Sequence, residues 1–261
     1  MNQLLVAFAL TFVLICMLLY FCIKANREPV IPKTIWQTYK SSKLPKKAIE
    51  CQASWKNQKD YSYNFMDDNE IDEFMRKNFS NEIVEVFNSL PLGVMKADMW
   101  RYCVLFVYGG VYSDIDSLSI RPIEEWGINS NNRILIGLEN DTHFCQWTIV
   151  SEPRHPILKK VIELIVEKAR SGFDTTYEHF VHDYTGPGIW TRAVNASLGF
   201  PENEKALNVY KNRHTFAGSG VRLEDDKFFS GKNVSNLYGS TQFGDGYISW
   251  TTERDALLAS S

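Results

Sequence analysis

Tyr108-Gly109-Gly110-Val111-Tyr112-Ser113-Asp114-Ile115-Asp116 is the stretch on which the fold turns. It follows directly on Leu92 to Tyr108, a run that is apolar almost all round and long enough to be a buried helix. Gly109-Gly110 stops that helix, and Val111 to Asp116 reads as a strand. Alternate side chains of a strand face the same way, so Asp114 and Asp116 are expected on one face and Ile115 on the other. Inside the helix, Asp98 and Arg101 are spaced i, i+3 and share a face with Tyr102 and Leu105. Charges in such apolar settings are costly unless they are paired, hydrogen-bonded or metal-bound. Together they point to a site for a divalent cation and an anionic, hydroxyl-rich ligand. Hard cations such as Mg²⁺ or Mn²⁺ want oxygen ligands and keep bonds to phosphate and water.

Working outward from that stretch, Lys33 to Gln37 reads as a first strand and Lys46 to Lys59 as a helix. Tyr61 to Met66 alternates as a second strand. Asp67 or Asp68 then caps a helix carrying Ile71, Phe74 and Met75. Glu82 to Asn88 is a further short helix. Downstream, Arg133 to Leu138 and Gln146 to Val150 read as strands, and Pro156 to Ala169 as an amphipathic helix. A helix to about Leu198 follows the Thr185-Gly186-Pro187-Gly188 turn. From Arg213 the chain is rich in Gly, Ser and aromatics and reads as loops and short strands. This order of elements predicts an α/β fold with a mostly parallel sheet.

The chain has 261 residues and a formal net charge of -3, which argues against a nucleic-acid partner with its demand for a basic face. Leu4 to Ile23 is uncharged and mostly apolar; twenty helical residues span about 30 Å, the thickness of a bilayer's hydrocarbon core. Residues 1-27 are therefore expected to be an N-terminal transmembrane anchor, and residues 28-261 the globular domain. The flanking Lys24, Arg27 and Lys33 follow the span and favour a cytoplasmic domain by the positive-inside rule. A large domain behind an uncleaved N-terminal anchor favours a lumenal one. N-x-S/T sequons at Asn78, Asn140, Asn195 and Asn233 add weak support for the lumen. Among five cysteines, only Cys51 and Cys145 are placed to pair, and no spacing suggests zinc.

Three blocks occur in order: Ile31-Pro32-Lys33-Thr34-Ile35-Trp36-Gln37-Thr38, the Ala97 to Tyr102 helix segment, and Tyr108 to Asp116. Together they resemble the D-x-D glycosyltransferases of family 32, the Och1-like mannosyltransferase group that includes inositol-phosphoceramide mannosyltransferases. More remotely they are similar to the catalytic domain of the large clostridial glucosylating toxins. The resemblance implies a GT-A-like, Rossmann-type nucleotide-sugar-binding domain and a retaining transfer that uses Mn²⁺ or Mg²⁺. It implies a nucleotide-sugar donor, with GDP-mannose favoured over a UDP-hexose, and a glycan or glycolipid acceptor. It further implies that Asp116 binds the metal and that Asp114 assists it while holding ribose or sugar hydroxyls. Asp98 and Arg101 would hold the donor sugar, and Trp36 would stack on the base. Ser249 and Trp250 would belong to a loop closing over the diphosphate; the His that often precedes that pair in the family is replaced locally by Gln242. A Golgi or ER membrane location with a lumenal domain is the matching expectation.

Two rival classes remain at this level. Phosphatases of the haloacid-dehalogenase type also place D-x-D after an apolar strand, with a later acidic pair that Asp225-Asp226 could supply. Leu118, however, stands where those enzymes have Thr or Val, and Asp114 lies far into the domain rather than at its start. The other rival is a glycan-binding membrane protein without turnover. His179 and His182 are spaced i, i+3 with no third ligand at a known spacing, which makes them a poor metal pair.

Overall fold

A computed structural model describes residues 10-13, 15-17, 31-237 and 250-260. Most of the expected Leu4 to Ile23 anchor lies outside the described residues. Among those described, no helix is long and apolar enough to cross a membrane.

Six strands form the main sheet: β1 (Thr34–Thr38), β2 (Ser62–Met66), β3 (Gly110–Ser113), β5 (Ile134–Gly137), β6 (Thr148–Ser151) and β7 (Val221–Glu224). Their order is β2-β1-β3-β6-β5-β7. Five strands point the same way and only β6 opposes them, pairing antiparallel with both β3 and β5. The mostly parallel α/β sheet read from the sequence is the one observed. A small second ladder joins β4 (Ser117–Ser119) to β8 (Val234–Asn236). Period-two alternation splits the core. Trp36, Tyr112, Ile134, Ile136 and Ile149 face one cluster; Ile35, Val111, Leu135 and Val150 face the other.

The first cluster is roofed by α2 (Asp68–Asn78), α3 (Asn81–Ser89), α4 (Gly93–Tyr108), α5 (Pro156–Arg170), α6 (Phe180–Tyr184), α7 (Pro187–Ser197) and α8 (Ala206–Lys211). On the other face, α1 (Lys46–Lys56) contributes Trp55. Asp67 is the cap of α2: its side chain accepts from the Asn69 and Glu70 amides while Glu70 accepts from the Asp67 amide, a complete capping box. Gly109 and Gly110 turn α4 straight into β3 with φ of 66° and 104°. A Cβ at Gly110 would lie 2.3 Å from the Thr34 carbonyl oxygen, so only glycine lets β3 start against β1.

One boundary departs from expectation in a way that matters. β3 ends at Ser113, and Asp114 to Asp116 form a turn into β4 rather than the end of a strand. The Asp114 amide still donates to Trp147 O across the sheet edge (2.8 Å). Its carbonyl is captured locally by the Ser117 amide (3.1 Å), by Ser117 Oγ (2.5 Å) and by Gln37 Nε2 (3.0 Å), which ends the ladder. The expected sharing of a strand face by the two carboxylates therefore fails; a turn carries them. Cys51 and Cys145, the two cysteines the sequence leaves able to pair, are buried free thiols.

His155 caps α5, its Nδ1 accepting from the Ile157 amide (3.2 Å), and only 4% of the residue is exposed. Burial, reinforced by Arg133, pushes its pKa down to about 4. The unfolded chain holds this proton with a pKa near 6.5, so between those values it binds more protons than the native state. The His155 contribution is full above about pH 6.5 and is lost as pH falls towards 4, with a ceiling of about 3 kcal/mol. His155→Asn keeps a capping acceptor and should remove this dependence. Urea unfolding of both proteins at pH 7.5 and pH 5 checks it. Comparing the two proteins cancels the buried acids, whose raised pKa values act in the opposite sense in both.

Candidate active site

Strand order reverses between β1 and β3: the chain goes from β1 outward to β2, then returns to the other side of β1. In open α/β sheets the crevice beyond the carboxyl ends of the strands at such a reversal is where ligands bind. The Asp114-Ile115-Asp116 turn stands at that place.

Behind it lies a buried polar network. Arg101 Nη2 bridges Asp98 Oδ1 (2.9 Å) and Asp114 Oδ1 (3.1 Å), and its guanidinium sits over the Tyr112 ring at 5.0 Å. The Tyr112 hydroxyl donates to the same Asp114 oxygen (2.5 Å), so these contacts land on Oδ1 and leave Oδ2 without a partner among the described residues. Asp98 is fully engaged. Gln146 Nε2 reaches its Oδ1 (3.3 Å) and the Thr185 hydroxyl donates to its Oδ2 (3.0 Å). Tyr102 closes the ring by donating to Gln146 Oε1 (2.6 Å) and to Thr185 O (3.1 Å). The structure thus brings Asp98, Arg101, Asp114 and Asp116 together, as read from the sequence. Asp98, however, is 1% exposed and bonds protein groups, so its visible work is to hold Arg101 and Thr185.

Asp116 differs from its neighbours. Its Oδ1 is buried and has no hydrogen-bond partner. Burial first, then repulsion from Asp114, pushes its pKa up to about 7. Burial also raises Asp98, to about 6 against the pull of Arg101. Asp114 is raised by burial and held back by Arg101 and the Tyr112 hydroxyl. Burial opposes the charge on Arg101, but Asp114, Tyr112 and Asp98 outweigh it and raise its pKa. The donor set suits a hard dication: an orphaned carboxylate oxygen on Asp116 beside the free Oδ2 of Asp114. No group of three or more His, Cys, Asp or Glu among the described residues could hold a metal alone. Phosphate and water oxygens would complete such a shell, as they do for Mg²⁺-like ions.

Trp36 is a correction. It is 6% exposed, its Nε1 donates to Gly109 O (2.9 Å), and its indole stacks on Tyr108 with centroids 5.3 Å apart. It is core material and offers no face to a base. The aromatic at the mouth is Tyr39, one residue beyond β1. It is half-buried and packs around Ile115 with Leu44, Phe65 and Leu237. Glu253, on the C-terminal helix α9 (Trp250–Ser260), lies near enough to add to the burial that raises the Tyr39 phenol. Ser249 and Gln242 lie outside the described residues, and Trp250 is the first residue of α9.

Gln146 and Thr185 were missed as site residues. Gln146 reads in the sequence only as the start of a strand, and Thr185 as part of a turn that either starts a helix or matches the Gly-Pro turn the family has near the acceptor. Asp225 and Asp226 are exposed after β7, three strand spacings from β3, or roughly 14 Å. The acidic pair a phosphatase of the rival type needs is not assembled with Asp114.

Residues 45–133 match the family described as glycosyltransferase sugar-binding region containing DXD motif. The chain is 30% identical to an initiation-specific alpha-1,6-mannosyltransferase of Candida albicans, over 77% of this chain and 60% of that one. It is 33% identical to the protein of that name from Schizosaccharomyces pombe, over 63% and 48%. It is 31% identical to inositol phosphoceramide mannosyltransferase 2 of Schizosaccharomyces pombe, over 55% and 41%. The chain therefore spans about half the length of the curated relatives it matches. Among solved structures, the PaToxG glycosyltransferase shares the fold, with a TM-score of 0.51 and 17% identity over 88% of this chain and 86% of that one. The resemblance read from the three sequence blocks is borne out.

Proposed function

We propose, for a chain whose residues 45–133 belong to the DXD sugar-binding family of glycosyltransferases, that it is a metal-dependent, retaining mannosyltransferase. Its donor is GDP-mannose and its acceptor a hydroxyl of a glycan or glycolipid. The activities named for the relatives support mannose as the sugar. Residues 28-261 form the catalytic domain, held by a membrane anchor at residues 4-23 that places it in the Golgi or ER lumen. The observation that carries the reading is the orphaned, buried Asp116 Oδ1 next to Asp114 at the point of strand-order reversal.

Asp116 and Asp114 would hold a Mn²⁺ or Mg²⁺ ion, which would supply Lewis-acid stabilisation of the charge on the departing diphosphate. Arg101 does two jobs. It keeps Asp114 ionised and aimed, and its guanidinium edge offers donors to sugar or phosphate oxygens at the same corner. Asp98, Thr185 and Gln146 fix Arg101, so that corner needs no rearrangement when donor arrives. Tyr39 is the aromatic platform for the base. Ser249 and Trp250 are the residues the family resemblance assigns to the diphosphate. The acceptor hydroxyl attacks from the face the diphosphate leaves, with a phosphate oxygen as base.

Calorimetry with GDP tests this directly. Tight binding should require Mn²⁺, with affinity at least about tenfold weaker in EDTA. Slow hydrolysis of GDP-mannose and indifference to aryl phosphates should accompany it. Metal-independent GDP binding would refute the assignment of Asp114 and Asp116.

A further inference from the structure

We propose that Glu139 anchors an acceptor subsite, its carboxylate accepting hydrogen bonds from the hydroxyls of a pyranoside. The inference rests on the transferase reading and adds to it the place where the acceptor sugar sits.

β5 runs in the same direction as β3, with β6 between them. Glu139, two residues past β5, therefore lies on the same rim as Asp114, one residue past β3. The offset is two strand spacings, about 10 Å. Between them, at the start of β6, stands Gln146, which already belongs to the Asp98–Arg101 network. The rim thus reads Asp114, Gln146, Glu139, from the metal-facing turn to the far carboxylate. That distance is too great for Glu139 to share the metal and suits contact with the incoming molecule.

The carboxylate is held ready without being used. The Glu139 amide donates to His143 O (3.0 Å), and Asn140 Oδ1 locks the intervening turn by accepting from the Thr142 and His143 amides (2.8 and 2.9 Å). Leu138 bridges Phe144 and pins the base of the turn to the core. On this rigid support the Glu139 side chain is half-buried and has no hydrogen-bond or ion-pair partner among the described residues. Other acids of the same sheet are paired: Glu152 with Arg133 and Glu224 with Arg222. Burial alone pushes Glu139 up to about 7, which measures how little the protein offers it. A half-buried carboxylate left without donors is costly unless a ligand supplies them, and vicinal sugar hydroxyls are such donors.

The neighbouring wall fits the same chemistry. His143, opposite Glu139 across the turn, stacks on His182 with centroids 6.5 Å apart, and His179 adjoins His182 at 5.8 Å. His182 lies under Gly186 and Gly188, on the turn that presents Thr185 to Asp98. His143 and His182 thus link the Glu139 turn to the turn that carries Thr185.

The test uses α-mannobiose as the acceptor probe and the full chain. Saturation-transfer NMR should detect mannobiose on the wild type. Glu139→Ala should weaken that binding about tenfold to a hundredfold, and Glu139→Gln by less because one acceptor oxygen remains. GDP–Mn²⁺ affinity and acceptor-free GDP-mannose hydrolysis should stay within about twofold of wild type, which also shows that the variants fold. Mannobiose binding that is absent in wild type, unchanged in Glu139→Ala, or lost in parallel with GDP–Mn²⁺ affinity overturns the subsite. Failure of GDP–Mn²⁺ binding in the wild type, with mannobiose binding still dependent on Glu139, would instead refute the transferase reading and leave a glycan site.

Discussion

Asp116→Asn is expected to cost at least about 10³-fold in mannosyl transfer and, in the same protein, to raise stability in metal-free buffer. Asn has the shape of Asp, and the Asp116 Oδ1 atom has no partner to lose. The substitution also removes a buried charge that Asp114 repels. At pH 8, above the raised Asp116 pKa of about 7, the native wild type must carry that charge, whereas the unfolded chain carries it freely in water. The variant avoids the penalty, a gain of roughly 1–3 kcal/mol. As pH falls below about 7 the native wild type takes up a proton that the unfolded chain does not bind, and the two proteins should converge. Adding Mn²⁺ should reverse the ranking, because the ion stabilises the native wild type by binding it and should leave the variant's unfolding unchanged. Thermal unfolding at pH 8 with and without Mn²⁺, beside a transfer assay, tests all three points. A variant that is less stable without metal, or that transfers at the wild-type rate, would remove Asp116 from the metal site.

Arg101→Ala should be the most damaging change for the fold. One guanidinium compensates Asp98 and Asp114, reaches Gln146 O and lies over Tyr112. Its loss leaves two buried carboxylates without their cation, which typically costs 3–5 kcal/mol. That is a large fraction of the roughly 5–15 kcal/mol that holds a domain folded. Arg101→Lys should recover only part, since a single ammonium cannot span two carboxylates and a carbonyl in one plane. Combining Arg101→Gln with Asp98→Asn should cost less than the sum of the separate changes, because each removes the partner the other leaves stranded. Urea unfolding of the wild type, Arg101→Ala, Arg101→Lys, Arg101→Gln, Asp98→Asn and the double variant measures this. A loss below about 1 kcal/mol for Arg101→Ala would mean that the network is solvated and that Arg101 does not organise it.

Much of this arrangement was legible in the sequence because it rests on local rules. The mostly apolar run of α4, the glycines that stop it, the Asp67 cap and the period-two strands all follow from single-segment chemistry. Asp98 and Arg101 stood out because charge inside such a helix needs a reason. What escaped was set by contacts that follow no repeating pattern. β3 ends where Gln37 and Ser117 capture the Asp114 carbonyl, and an alternating pattern cannot separate a last strand residue from a first turn residue. The stacking role of Trp36 came from the family resemblance, which carries no information on which face of β1 the core covers. Tyr39, past the strand's end, gave no periodic signal at all. Gln146 and Thr185 join Asp98 from 48 and 87 residues away, and neither carries a local mark of that role.

The Asp98–Arg101 network draws on a helix, a strand end, the lead into β6 and the turn before α7, with no loop able to form it alone. Heat or denaturant that loosens any of the four contributors therefore dismantles the whole assembly. Enzymatic output becomes a gauge of global integrity: inactivation on warming should track the cooperative melting of the chain instead of preceding it.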